Sequence, residues 1–154
     1  MTVPSDVRKP LDEEALGRAL EILPHRPPFL LLDRALEVVP GERGRAVKVV
    51  TGNEPYVGAG QALMSPLVVE ACAQLMAVVA GATEGEEEQR SESKPGYLVA
   101  LEGFDFRRHV GAGDRLVVEA VLGRRMGPLL QAKVRAQVEG ELVVEGKITV
   151  SSPR

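Results

Sequence analysis

In the second half of the chain, four segments either alternate between hydrophobic and polar residues or are continuously apolar. They are 97–106, 114–122, 130–139 and 142–150. The segment 130–139 is the clearest, because its even-numbered residues are apolar and its odd-numbered residues are polar or charged. This period is typical of β-strands with one face in the core and the other in solvent. Glycine-containing turns separate the segments, so the pattern predicts an antiparallel meander.

The first half of the chain shows both helical and strand patterns. Apolar residues recur at helical spacing over 12–23, which predicts a short amphipathic helix that Pro24 ends. A strand over 34–39, turn residues at 40–44 and a β-branched segment at 45–51 predict a β-hairpin.

The segment 66–80 is apolar on nearly every side. Serine at position 65 and proline at position 66 are favoured at the N-cap and first turn of a helix, and Gly81 is suited to its end. A helix that is apolar all round has to be buried.

These elements predict one α+β domain that spans residues 1–154. About six antiparallel strands form a curved sheet, whose apolar face wraps around one long central helix in a hot-dog arrangement. Residues 1–10 are expected to form a flexible arm, and 83–96, with five glutamates, a charged surface loop.

Composition excludes several classes of protein. The 154 residues carry a formal net charge of −3, one cysteine and two histidines. We therefore expect no disulfide, metal site or cofactor, and no nucleic-acid partner. No apolar leader or membrane-length apolar run is visible, so we expect a cytoplasmic protein without a membrane partner.

Glu70 and Gln74 are the two polar side chains inside the apolar helix, and their four-residue spacing places them on one face. An ionised carboxylate among apolar side chains is costly unless it is paired. One interpretation is an edge that reaches solvent or a subunit interface. We favour a catalytic Glu70 with Gln74 as a neutral, substrate-binding neighbour, and with Ser65 at a helix N-terminus whose N–H groups bind a carbonyl oxygen.

Other candidate residues have simpler interpretations. Cys72 lies about 200° around the helix from Glu70 and is expected to be an inert core thiol. Four arginines near strand ends either bind an acidic protein or a phosphate, or are ordinary solvated charges; they are Arg107, Arg108, Arg124 and Arg125.

Four ordered motifs within residues 12–150 resemble the β-hydroxyacyl-acyl-carrier-protein dehydratases of bacterial fatty-acid synthesis. They read LPHRPPFLLLDR at 23–34, NEP at 53–55, VVEACAQ at 68–74 and FRRHVGAGD at 106–114. The resemblance implies a hot-dog fold, a homodimer or higher homo-oligomer with sites at the subunit interface, and a thioester ligand on acyl carrier protein or coenzyme A.

The resemblance also implies a mechanism, and one part of it is missing here. In the family a loop histidine removes the C2 proton and a helix carboxylate, which matches Glu70, protonates the leaving 3-hydroxyl. The corresponding loop, 56–64, is shorter and contains no histidine. This change resembles a branch of the family associated with aryl-polyene and polyketide-like clusters. We expect a structural role for His25 and a surface position for His109.

Three functions are consistent with this sequence. The first is a 3-hydroxyacyl thioester dehydratase, a lyase whose activity is altered or lost without the loop histidine. The second is an acyl-thioester thioesterase in which Glu70 acts on water. The third is a non-catalytic acyl-binding or scaffolding subunit.

Overall fold

The computed structural model describes residues 8–57, 62–82 and 96–151. The elements in chain order are α1 (Glu13–Gly17), a short 3-10 helix (Ala19–Ile22), β1 (Arg34–Val39), β2 (Arg43–Val49), α2 (Ser65–Gly81), β3 (Tyr97–Glu102), β4 (Arg115–Met126), β5 (Leu129–Val138) and β6 (Glu141–Ser151). The predicted loop at 83–96 lies outside the described residues except for Gly96. Of the predicted arm, only residues 8–10 are described.

All six strands belong to one antiparallel sheet, in the order β1-β2-β4-β5-β6-β3. The meander β4-β5-β6 pairs strands that follow one another in sequence, whereas β3 crosses over to lie beside β6. Glu139 and Gly140, both with positive φ, form the tight turn between β5 and β6. The predicted curved sheet around one helix, the hot-dog architecture, is confirmed.

The helix α2 packs on the concave face of the sheet, chiefly against β4, β2 and β5. Its contact with β2 is close, since a Cβ atom at Gly44 would lie 2.6 Å from Cγ2 of Val79. Buried aliphatic side chains from both layers form the core; they include Ala71, Leu75, Val78, Ala46, Leu116, Val118, Ala120, Ala132, Val134 and Ile148.

Several boundaries differ from the predicted ones; the strand predicted over 114–122, for example, continues to Met126. The helix predicted over 12–23 is two short helices, with the poor helix former Gly17 at the break. Ser65 lies inside α2 rather than at its N-cap, which is Met64 and makes no side-chain capping bond. The strand predicted over 97–106 ends at Glu102, because Gly103 adopts a φ of 69° and turns the chain away from the sheet.

In the part of the chain that the structure describes, no helix combines the length and the hydropathy needed to cross a membrane.

Candidate active site

A groove of about 550 Å³ runs between the first half of α2 and the edge strand β3. Residues that follow the end of β3 at Glu102 also line it, namely Gly103, Phe104 and Phe106. The lining residues are mainly apolar or small; they are Ser65, Pro66, Val69, Glu70, Ala73, Leu98, Leu101, Gly103, Phe104 and Phe106. Among these, Glu70 carries the only ionisable side chain.

Glu70 reaches the groove from the second turn of α2. Its side chain is 29% exposed, so the carboxylate is neither buried in the core nor fully solvated. The side-chain amide nitrogen of Gln74 donates a hydrogen bond to Glu70 Oε1 over 3.2 Å, as their spacing on one helix face predicts. The pairing lowers the cost of holding a charge in a mainly apolar groove.

Gln74 does not line the groove, although the sequence predicts that it binds substrate. It is 1% exposed, and its amide oxygen accepts from the backbone N–H of Leu31 over 3.0 Å. Its amide nitrogen also donates to the backbone oxygen of Phe29 over 2.8 Å. Because these bonds and the one to Glu70 occupy the amide, Gln74 ties the segment 29–31 to the helix.

His25 approaches the same carboxylate oxygen as Gln74. Its Nε2 atom lies 3.4 Å from Glu70 Oε1, and its side chain is 27% exposed. The ring also packs against Phe29, with centroids 5.7 Å apart. The sequence predicts only a structural role for His25. Hydrophobic periodicity carries no signal for this contact, since the two residues are 45 positions apart in different elements.

Ser65 lines the groove one turn before Glu70, at the N-terminal end of α2. Pro66 has no backbone N–H, and the N–H of Leu67 donates to the backbone oxygen of Met64 over 2.9 Å. Ser65 is therefore the polar residue that this helix end contributes to the groove lining.

Two residues outside the groove lie where the sequence predicts them. Cys72 is fully buried, and burial raises the pKa of its thiol from 9.0 to about 12, so it is an inert core thiol. His109 is exposed. Residues 58–61, part of the shortened loop, lie outside the described residues.

Two of the four clustered arginines are engaged within the chain. Arg108 lies 3.3 Å from Asp114 and 3.2 Å from Glu141, and Arg107 lies 3.6 Å from Asp105. These contacts fit the interpretation of Arg107 and Arg108 as ordinary strand-end charges. Arg124 and Arg125 are exposed near the end of β4.

Comparison with protein families finds a match to the FabA-like domain over residues 23–147, which includes every groove residue described above. The chain belongs to the FabA-like family. Relatives in this family include two proteins named 3-hydroxyacyl-[acyl-carrier-protein] dehydratase FabZ. The one from Myxococcus xanthus is 40% identical over 136 residues, covering 86% of this chain and 87% of the relative. The one from Anaeromyxobacter is 44% identical over 139 residues, covering 88% and 85%.

Solved structures share this fold. The dehydratase heterocomplex ApeI:P from Xenorhabdus doucetiae matches with a TM-score of 0.75 and 19% identity, over 88% of this FabA-like chain and 91% of the other. A hypothetical thioesterase from Streptococcus pneumoniae, solved with coenzyme A, matches with a TM-score of 0.61 and 10% identity, over 78% and 84%. At these identities the likeness concerns the fold.

Proposed function

We propose that this protein binds 3-hydroxyacyl thioesters in the groove and dehydrates them, with Glu70 as the catalytic acid and base. The observation that carries the proposal is the Glu70 carboxylate, the one ionisable side chain among the described groove-lining residues. Apolar walls suit an acyl chain, and a few polar groups fix its reactive end. The dehydratase names of the relatives that are about 40% identical support the same reaction.

Dehydration needs a base at C2 and an acid at the 3-hydroxyl. The thioester carbonyl acidifies the C2 proton, which the Glu70 carboxylate removes. The C2–H electrons form the C2=C3 bond as the C3–O bond breaks, and protonated Glu70 returns the same proton to the departing hydroxyl, which leaves as water. A single carboxylate thus performs both transfers, which removes the need for a loop histidine.

Ser65 is the group we place at the thioester carbonyl. Negative charge develops on that oxygen as the C2 proton leaves, and Ser65 lines the groove at a helix N-terminus, where a hydroxyl and the helix dipole can stabilise it. Gln74, by contrast, acts on substrate only through Glu70, because its amide is committed to Leu31, Phe29 and Glu70.

We further propose acyl carrier protein or coenzyme A as the carrier of the thioester. The groove is not enclosed, which leaves room for a pantetheine arm to enter from solvent. The names of relatives mention acyl carrier protein, and one structural neighbour was solved with coenzyme A. The single, buried cysteine suits work in a reducing cytoplasm.

A homodimer is part of the proposal, and its basis is the edge strand β3. Four apolar residues of this strand are about half exposed or more; they are Tyr97, Leu98, Val99 and Leu101. An edge strand with apolar side chains is a template for pairing with another strand. Pairing of β3 with its copy in a second chain extends the sheet and covers this surface.

The dimer is tested by mass in solution with two matched variants. Val99 on β3 and Val121 on β4 are 53% and 51% exposed. We expect Val99→Asp to give monomer at micromolar concentration and Val121→Asp to remain dimeric. A wild-type chain that is monomeric under these conditions contradicts the proposal.

The reaction is tested with 3-hydroxyacyl thioesters of several chain lengths, each on acyl carrier protein and on coenzyme A. Formation of the enoyl thioester is followed by absorbance. We expect Glu70→Gln to lose at least about 100-fold in kcat, in line with the usual contribution of an acid-base group. Glu145→Gln makes the same chemical change at an exposed site on β6 and should leave kcat unchanged. Full activity in Glu70→Gln refutes the assignment.

A thioesterase is the second candidate, because the same carboxylate can activate water for attack on the thioester carbonyl. The shortened loop without histidine favours this alternative over the family's usual pair of groups. Release of free thiol from acyl coenzyme A, without enoyl product, would identify it. Binding of acyl thioester with no turnover in either assay would instead identify an acyl-binding subunit.

A further inference from the structure

We infer that His25 is a positioning residue for Glu70: it holds one carboxylate oxygen so that the other faces the substrate, and it does not replace the loop histidine as a base. The inference rests on the proposed function of Glu70. It extends the proposed acid-base site to include a residue of the proline-rich segment before β1.

The two sides of the Glu70 carboxylate differ. Oε1 has His25 Nε2 at 3.4 Å and Gln74 Nε2 at 3.2 Å, whereas Oε2 has no hydrogen-bonding or ionic partner among the described residues. Two nitrogens on one oxygen fix the rotation of the carboxylate. The oxygen left without a partner is the one suited to take a proton from substrate.

The surroundings of the His25 ring select its tautomer. Its Nδ1 atom is buried and has no hydrogen-bond partner in the part of the chain that the structure describes. A proton on Nδ1 would leave a buried donor unpaired, which costs about 1–3 kcal/mol. The proton therefore belongs on Nε2, where it points toward the Glu70 carboxylate.

This tautomer also excludes His25 as the general base. Its one accessible nitrogen, Nε2, already carries a proton, and a second proton would have to sit on the buried Nδ1. His25 does not line the groove, so its effect reaches substrate through Glu70. The distance of 3.4 Å fits a contact that tightens when substrate binds, as is common for hydrogen bonds in ligand-free sites.

The segment that carries His25 is fastened to the helix that carries Glu70. Gln74 bonds the backbone at Phe29 and Leu31, and Arg26 Nη1 donates to the backbone oxygens of Leu23 and His25 over 2.8 and 2.7 Å. The Phe29 ring contacts the rings of both His25 and Tyr56, with centroids 5.7 and 6.3 Å apart. His25 is therefore held in place before any ligand arrives.

Kinetics of two His25 variants test the role. Leucine removes the donor and keeps the bulk, whereas the side-chain amide of glutamine offers an N–H in place of Nε2–H. We expect His25→Leu to lower kcat about 10- to 100-fold with KM within about threefold, and His25→Gln to recover most of kcat. His109→Gln, at an exposed position, should match wild type. Unchanged kcat in His25→Leu, or an equal loss in both His25 variants, overturns the inference.

A spectroscopic measurement separates this inference from the proposed function. Proton–nitrogen NMR correlations of the histidine rings distinguish the two tautomers, and with only two histidines the signals are assigned by His109→Gln. We expect an Nε2–H tautomer for His25 whose signal shifts in Glu70→Gln. If the spectra place the proton of His25 on Nδ1, the inference is overturned even when the enzyme is active. A wild-type protein with no dehydratase activity refutes the proposed function. The NMR result still tests whether His25 Nε2–H contacts the Glu70 carboxylate.

Discussion

Lys48 Nζ lies 2.9 Å from Glu54 Oε2, and the two side chains are only 6% and 17% exposed. The other oxygen of Glu54 accepts from the backbone N–H of Thr51 over 3.0 Å. A single carboxylate thus connects β2 to the turn that leads into the shortened loop. Glu54 belongs to the motif NEP at 53–55, one of the four that resemble the dehydratase family. In the fold, this motif supplies the carboxylate that joins β2 to the turn.

Removing one member of the buried pair should destabilise the protein strongly. We expect Glu54→Gln to lower the free energy of unfolding by about 3 kcal/mol, since it leaves the Lys48 ammonium buried without a counter-charge. Urea unfolding measures the change. The exposed pair Arg18 and Glu21 is the control, and Arg18→Ala should cost less than about 1 kcal/mol. Equal effects of the two variants would contradict this account.

Gln74→Leu should be destabilising although leucine is apolar and similar in size. It leaves the buried N–H of Leu31 without a partner and removes the part-buried hydrogen bond to the backbone oxygen of Phe29. We expect a loss of about 1–3 kcal/mol, the usual cost of one unsatisfied buried group. Chemical unfolding checks this, with Gln137→Leu, at a partly exposed position of β5, as the matched variant. A Gln74→Leu protein as stable as wild type would show that the hydrogen bonds of Gln74 do not hold the segment 29–31 against α2.

Gly146 sets the position of one groove wall. A Cβ atom there would lie 2.7 Å from the ring of Phe104, which lines the groove. We expect Gly146→Ala to displace the ring, to cost about 1–3 kcal/mol in stability, and to weaken binding of the longest acyl thioesters first. Calorimetric binding of a chain-length series tests this. Gly17→Ala, where an added Cβ meets nothing within 4 Å, should weaken binding of no acyl thioester and should not lower stability, because alanine is the better helix former.

The Cys72 thiol predicts a loss of stability at alkaline pH. Burial raises its pKa from 9.0 to about 12, so the folded protein holds the proton more tightly than the unfolded chain. Its contribution is complete below pH 9 and is lost as pH rises toward 12, at about 1.4 kcal/mol per pH unit. Cys72→Ala should show a shallower decline of unfolding free energy over this range. Parallel declines in the two proteins would show that the thiol does not titrate in this way.

The sequence predicts the layered architecture well because the relevant signals are local. Alternation along β5 and the apolar circumference of α2 each specify an element and its buried face, and Glu70 stands out as a charge on that helix. The contact of His25 with Glu70 depends on how the segment before β1 packs on α2, which local periodicity does not record. The hydrophobic pattern does not mark the end of β3 at Glu102, because apolar side chains recur as far as Phe106 after the backbone has turned at Gly103.

The exposed strand β3 has a further consequence, because Leu98 and Leu101 belong both to the sheet edge and to the groove wall. Any chain that pairs with this edge alters the surface that a ligand contacts. Assembly and ligand affinity are then thermodynamically linked, and each must shift the other by the same factor. In the proposed dimer, a ligand that binds the paired form more tightly also lowers the dissociation constant of the dimer, so occupancy of the groove depends on protein concentration.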